Sequence, residues 1–250
     1  MALKLPTGLE GCYHALTSRG DSRHVIEQMS TLAWLRILTD AGAPKIGGHD
    51  PRTILSDPIS WPELVGLDNL PVNLTVFCAR LCDVMGDDLL WRDWHELEPA
   101  AVGKACLEMG RWQMPEGDPL GFLYTHLVSP SKRAGLGSFF TPYHVSLMMA
   151  MMLQPKPGES VMDPCCGSAG MLLAALEACR KEHGPDAVLE IYGMDIDGDA
   201  VRLAKLNLAL AGIAPGRRVV TEDESGLPPE KIAELKEQAH GGFVQGNLFE

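Results

Sequence analysis

Hydrophobic spacing divides the chain into two regions. Up to about residue 131 the apolar positions recur at helical intervals and little alternates. Asp21-Ser22 can cap a helix running to about Thr39, with Val25, Met29, Leu32, Ala33, Leu35 and Leu38 on its apolar side. Ala41 to Ser60 is rich in Gly, Pro and Asp and reads as loop, and Trp61–Val65 as a short helix. Asn73 to Leu97 keeps a helical period through Leu74, Phe77, Leu81, Met85, Leu89 and Leu90, with Gly86-Asp87-Asp88 able to break it. Ala100 to Met114 is a further helix, and the stretch up to Gly20 reads as irregular. All five tryptophans lie in this half, a distribution that suits packing between helices.

Past a Pro/Lys/Gly-rich joint from Pro130 to Gly137 the pattern changes to strands alternating with helices. Tyr143–Leu153 is a Met-rich helix whose Leu147, Met148, Met151 and Met152 are expected to pack on a sheet. Strands are predicted at about Ser160–Asp163, Val188–Met194, Arg217–Thr221 and Phe243–Gln245, with helices from Met171, over Asp197–Ala211 and over Pro228–Ala239. This predicts a helical N-terminal domain, residues 1–131, followed by an α/β domain, residues 132–250, with part of a Rossmann-like sheet.

The chemistry gathers between Ser160 and Gly170, where a short apolar run ends at Asp163 and turns through Pro164-Cys165-Cys166-Gly167-Ser168-Ala169 into a helix. Gly167 and Gly170 let a ligand approach the main chain, and Ser168 is a candidate N-cap. The turn lacks the third glycine of a dinucleotide fingerprint and the lysine of a P-loop. The carboxylate of Asp163 would repel a pyrophosphate and suits a cationic group instead. S-adenosylmethionine (SAM), with an α-ammonium and a sulfonium, fits that charge better than NAD or ATP. The same residues also suit an ordinary βα turn with a structural Asp. A second acid, Asp195, ends the next predicted strand, and two such strand ends side by side define a crevice at the carboxyl edge of a parallel sheet.

Three ordered segments then resemble the adenine-N6 DNA methyltransferases, most of all the modification subunit of type I restriction–modification systems. They are Leu136-Gly137-Ser138-Phe139-Phe140-Thr141-Pro142, Asp163 to Gly170, and Tyr192-Gly193-Met194-Asp195-Ile196-Asp197. The likeness runs from about Asp118 to Asn247, with Ser138 in place of the usual Gln and Ala169 in place of the usual Gly. It implies SAM as cofactor and DNA as substrate, reached through a specificity subunit or additional chain. By that resemblance Phe139 or Phe140, Thr141 and Pro142 contact the methionine end of SAM, and Asp163 with Pro164 faces the ammonium. Gly167, Ser168 and Gly170 admit the ligand, Asp195 with Ile196 binds the ribose, and Asn247 lies near the adenine. The family's catalytic [NDS]-P-P-[YFW] motif does not occur in this chain. Pro228-Pro229 is followed by Glu230-Lys231-Ile232 and reads as a helix start; the favoured alignment makes Gly246-Asn247-Leu248 the motif near the cofactor adenine, and the alternative makes Asn247-Leu248-Phe249 a degenerate catalytic motif. Catalytic residues are therefore unassigned beyond Asn247, the fold is expected to stop short of completion, and two readings stand. One is an enzyme needing further chain or a partner; the other is a non-catalytic SAM-binding or partner-binding module, or part of a split methyltransferase.

Composition narrows this further. A net charge of −12 without any long Lys/Arg run argues against strong autonomous binding to nucleic acid. Seven cysteines and no export signal argue against a disulfide framework, and Cys165-Cys166 lacks a second pair at metal spacing, so no metal is expected. No apolar run reaches membrane-spanning length, and the cytoplasm is the expected location.

Overall fold

The computed structural model describes residues 5–18, 24–40, 45–46, 50–53, 59–128, 141–214 and 218–238, and the backbone of 244–245. The chain divides into two compact units, Met1–Met114 and Pro115–Glu250.

The first unit is helical: α1 (Leu9–Leu16), α2 (Val25–Thr39), α3 (Trp61–Val65), α4 (Leu70–Met85) and α5 (Pro99–Arg111). The region before Gly20, expected to be irregular, holds α1, which buries Leu9, Cys12, Ala15 and Leu16. Only two turns long, α1 offers too few apolar repeats to stand out from the sequence, and packing on α5 holds it. The long helix expected from Asn73 stops at Gly86, whose φ of 69° ends α4 while its N–H donates to the Cys82 carbonyl at 2.9 Å. Helix α5 is the hub, meeting α1, α2, α3 and α4. The Arg36 guanidinium donates to the Met109 carbonyl at 2.8 Å and to that of Trp112, placing a cation at the helix's negative end. Trp34, Trp61, Trp94 and Trp112 are buried among these helices.

The second unit runs α6 (Pro119–Leu127), α7 (Tyr143–Leu153), β1 (Ser160–Asp163), α8 (Gly170–His183), β2 (Glu190–Asp195), α9 (Gly198–Leu210), β3 (Val219–Thr221), α10 (Pro229–Gln238) and β4 (Val244–Gln245). The sheet order is β3-β2-β1-β4. The first three strands are parallel, with Asp163 opposite Gly193 and Asp195 opposite Thr221, so their carboxyl ends share one edge. This is one half of a doubly wound α/β sheet, and the two acids lie at the carboxyl edge of its strands. Strand β4, expected at Phe243–Gln245, pairs antiparallel with β1 through Val244 and Gln245.

The expected joint at Pro130–Gly137 and the boundary at residues 131/132 lie outside the described residues. The compact units divide between Met114 and Pro115, and Asp118, the N-cap of α6, bonds to Ser168 in the turn before α8 and to Asn207 on α9. The Met-rich helix α7 also differs from expectation. It lies along α8 through its small residues Ser146 and Ala150, with Tyr143 and Leu147 partly buried, while Met148, Met151 and Met152 are exposed. Small side chains let two helices approach closely, and the larger ones are then turned outward. Among the described residues no helix is long and apolar enough to cross a membrane.

Candidate cofactor site

The site grows from the first strand end. Asp163 closes β1 and is buried. Pro164 follows, and the Cys165 N–H folds back to donate to Asp163 Oδ1 at 3.0 Å, a short Asx turn. The Cys166 N–H then donates to the Met194 carbonyl at 2.8 Å, which ties the turn to β2. Gly167 sits at φ 53° and its N–H donates to Asp195 Oδ2 at 2.8 Å, so the second strand end holds the first turn directly.

The expectation that Ser168 caps the helix is not met. The helix begins one residue too late for Ser168 to take the N-cap position, and its hydroxyl donates to Asp118 Oδ2 at 2.5 Å. The N-cap position is taken by Ala169, at φ 70° and ψ 22°, fully buried. A non-glycine residue in this left-handed region costs roughly 1–2 kcal/mol, and burial of its methyl returns about 0.8 kcal/mol. Ala169→Gly is therefore expected to leave stability unchanged or raise it by up to about 1 kcal/mol, where the same change inside a helix would lower it. Urea unfolding measures this, and a loss above about 1 kcal/mol would show that the turn is not strained.

Asp195 closes β2. Besides holding Gly167, its Oδ1 accepts from the Asp197 N–H at 2.9 Å, and its carbonyl accepts from the Glu222 N–H just past β3 at 3.1 Å. One residue thus pins three loops at the same sheet edge. Beside it Ile196 is exposed, an apolar side chain at the rim of the crevice. Asp197 caps α9 by accepting from the Asp199 N–H at 3.1 Å.

Burial pushes Asp163 up to about 6; the Cys165 N–H pulls it down, and the neighbouring charge of Asp195 raises it further. No Lys or Arg forms an ion pair with either carboxylate among the described residues. A buried carboxylate without a cation is unfavourable by itself, and a cationic ligand is the partner that relieves it. The two carboxylates are acceptors that suit a cationic group and hydroxyl donors.

The structure thus brings together Asp163, Pro164, Gly167, Ser168, Gly170, Asp195 and Ile196. Thr141 and Pro142 are exposed and lead into α7, where the Pro142 carbonyl accepts from the Val145 N–H at 2.9 Å. Phe139, Phe140 and Asn247 lie outside the described residues.

Sequence reasoning missed a buried polar group behind the turn. The Asp118 carboxylate accepts from the Gly121 N–H at 2.7 Å, from Ser168 Oγ at 2.5 Å and from Asn207 Nδ2 at 2.6 Å. Asn207 Nδ2 also donates to the Ser168 carbonyl at 2.9 Å. Burial pushes Asp118 up, opposed by these three bonds. Two signals were available: Asp118, Gly121 and Tyr124 repeat every three residues on one short helix, and Asn207 is a lone amide inside the apolar run of α9.

Comparison with known proteins follows the same lines. Residues 116–238 match the N-6 DNA methylase family. The MjaIX methylase subunit of a type I restriction enzyme from Methanocaldococcus jannaschii is 41% identical over 76 residues, 30% of this chain and 13% of that protein. The EcoEI methylase subunit from Escherichia coli is 32% identical over 105 residues, 37% of this chain and 20% of that protein. A crystal structure of a modification subunit of a putative type I restriction enzyme from Vibrio vulnificus covers 84% of this chain and 55% of its own at 17% identity, with a TM-score of 0.46. The chain therefore spans well under a quarter of the length of these two curated relatives.

Proposed function

We propose, on the premise that the chain belongs to the N-6 DNA methylase family through residues 116–238, that it binds SAM and forms the cofactor half of an adenine-N6 DNA methyltransferase. The observation that carries this reading is the pair of acids at adjacent strand ends, Asp163 and Asp195, neither of which forms an ion pair with a Lys or Arg among the described residues. In this reading Asp163 faces the α-ammonium, Asp195 takes the ribose hydroxyls, and the Gly167 turn lets the ligand approach the main chain. Pro164, Ser168, Gly170 and Ile196 complete that wall, and Phe139, Phe140, Thr141 and Pro142 approach the methionine end. By the family resemblance, Asn247 would lie near the cofactor adenine.

Bound there, SAM supplies an electrophilic methyl group. The chain's own contribution is to orient: burial of Asp163 and the fixed carboxylate of Asp195 hold the two ends of the ligand, and alignment of this kind is worth several kcal/mol of barrier. A target adenine would have to leave the DNA stack to reach that methyl. The residues that orient its amine in the family, [NDS]-P-P-[YFW], are not among these 250, so further chain or a partner completes the site. The net charge of −12 points the same way, with DNA held through a specificity subunit or additional chain in the cytoplasm. That charge and the missing motif also favour the second reading, a SAM-binding module without catalysis of its own.

Calorimetry with SAM tests the cofactor, and transfer of labelled methyl to unmethylated genomic DNA tests the reaction. We expect binding by the chain alone and incorporation only when a complementing polypeptide is added. Absence of binding by folded protein would remove the cofactor assignment. Robust incorporation by the chain alone would make Asn247-Leu248-Phe249 a working acceptor motif. Binding without incorporation under either condition would favour the non-catalytic module.

A further inference from the structure

We infer that α6 is the positioning element of the cofactor crevice, with Asp118 holding the wall after β1 and Tyr124 the wall after β2. For the identity of the ligand this rests on the SAM reading above; for the geometry it stands on contacts within the second unit. Asp118 receives Ser168 Oγ at 2.5 Å, and Asn207 receives no freedom either, since its Nδ2 bridges Asp118 at 2.6 Å and the Ser168 carbonyl at 2.9 Å. Ser168 is thus gripped by both side chain and main chain, one residue past Gly167 and two before the first residue of α8. Two turns further along α6, Tyr124 Oη donates to Asp197 Oδ2. Asp197 is two residues past Asp195 and gives it an N–H at 2.9 Å. Asp195 is therefore two hydrogen bonds from α6, through Asp197, while Asp118 holds Ser168 in the turn that follows Asp163 along the chain.

The helix is shaped for this task. Asp118 is its N-cap, accepting from the Gly121 N–H at 2.7 Å, so the same carboxylate that starts the helix also holds the turn. A Cβ at position 121 would overlap both Ser168 Oγ and the Asp118 carboxylate, so this position requires glycine. Burial and the bond to Asp197 push the Tyr124 hydroxyl well above its ordinary range, which keeps it a neutral donor. Asp118 and Tyr124 act through Ser168 and Asp197, and are positioning residues.

A purely structural contact and a positioning contact differ in where their loss is felt. Asp118→Asn is isosteric and keeps an acceptor for Gly121, but it presents an NH₂ to one of its two side-chain donors. Hydrogen exchange on the full 250-residue chain reads the turn directly without any ligand. We expect amides from Cys166 to Leu172 to exchange about tenfold faster in Asp118→Asn, and those of α4 to be unchanged. SAM affinity by calorimetry should fall about tenfold in Asp118→Asn and about tenfold in Ser168→Ala. Because both act through one bond, the double variant should also lose about tenfold, not a hundredfold. Tyr124→Phe should speed exchange around Asp197 and leave the Ser168 turn alone. If Asp118→Asn leaves both exchange and affinity within twofold of the parent, or if the two losses multiply, the inference is wrong. Ser168→Ala, the milder change, decides the matter where Asp118→Asn does not fold. Failure of the parent chain to bind SAM, with the exchange effect present, would overturn the cofactor reading and leave α6 as the strut of the turn.

Discussion

Replacing Asp195 by Ala should weaken SAM binding by about 30- to 100-fold, the largest single-residue effect expected anywhere in the chain. The estimate follows from what the carboxylate holds. It accepts the Gly167 N–H at 2.8 Å and the Asp197 N–H at 2.9 Å, so its loss loosens the glycine turn and the start of α9 together. It also removes the acceptor proposed for the ribose hydroxyls. Hydrogen bonds to a charged group contribute about 1.5–3 kcal/mol each, and one such bond lost to the ligand is already about tenfold or more. Disorder in the turn adds to that. Asp195→Asn keeps one acceptor oxygen and should fall between Ala and the parent. Calorimetry on variants that unfold cooperatively at or near the parental temperature measures this. An Ala variant that binds within threefold of the parent would show that Asp195 serves the fold alone.

How much of this site could be read from the sequence depends on the kind of interaction. The two strand-end acids were legible because each ends a β-rich run just before a turn or helix start, and β1 and β2 form where the pattern places them. The hydrogen bond from Gly167 to Asp195 spans 28 positions and was not, although the shared sheet edge made the two residues neighbours in expectation. Ser168 was misassigned because local pattern did not fix the helix start to the residue: the N-cap is Ala169, and the Ser168 hydroxyl serves a carboxylate 50 positions away. Helix α7 was misread for a related reason: period alone shows that a helix is apolar, not which face meets its neighbour, and the small residues Ser146 and Ala150 take that place. In the first unit, α1 escaped because eight residues hold only two turns of periodicity. Long-range polar contacts and short elements held by packing leave the weakest local trace.

Asp163 should behave as a residue that lowers stability and raises affinity, and the two effects should separate with pH. Burial moves its carboxyl from an ordinary value of 3.8 up to about 6 in the folded chain. A folded-state value above the unfolded one means that the native protein holds the proton more tightly. Stability from this group is therefore greatest below about pH 4 and declines as pH rises to about 6, by about 3 kcal/mol at the limit for a shift of about two units. Asp163→Asn removes the titration and keeps an acceptor for the Cys165 N–H. It should unfold at higher denaturant concentration than the parent at pH 7–8, by about 1–2 kcal/mol, and show little difference near pH 4. Ligand binding should move the other way. The carboxylate form is the one that meets the α-ammonium of SAM, so parental affinity should rise as pH climbs from 5 through 6. It should level off until the ammonium itself loses its proton, near the ordinary α-amino value of about 8. Asp163→Asn should bind at least about tenfold more weakly at pH 7 and lose the rising limb near pH 6, because no charge is left to titrate there. Parallel pH profiles of affinity in the two proteins would rule out contact between Asp163 and the cationic end of the ligand, whatever the stability data show. A more stable, weakly binding, pH-insensitive variant would identify Asp163 as a buried charge kept for the cofactor at the expense of the fold.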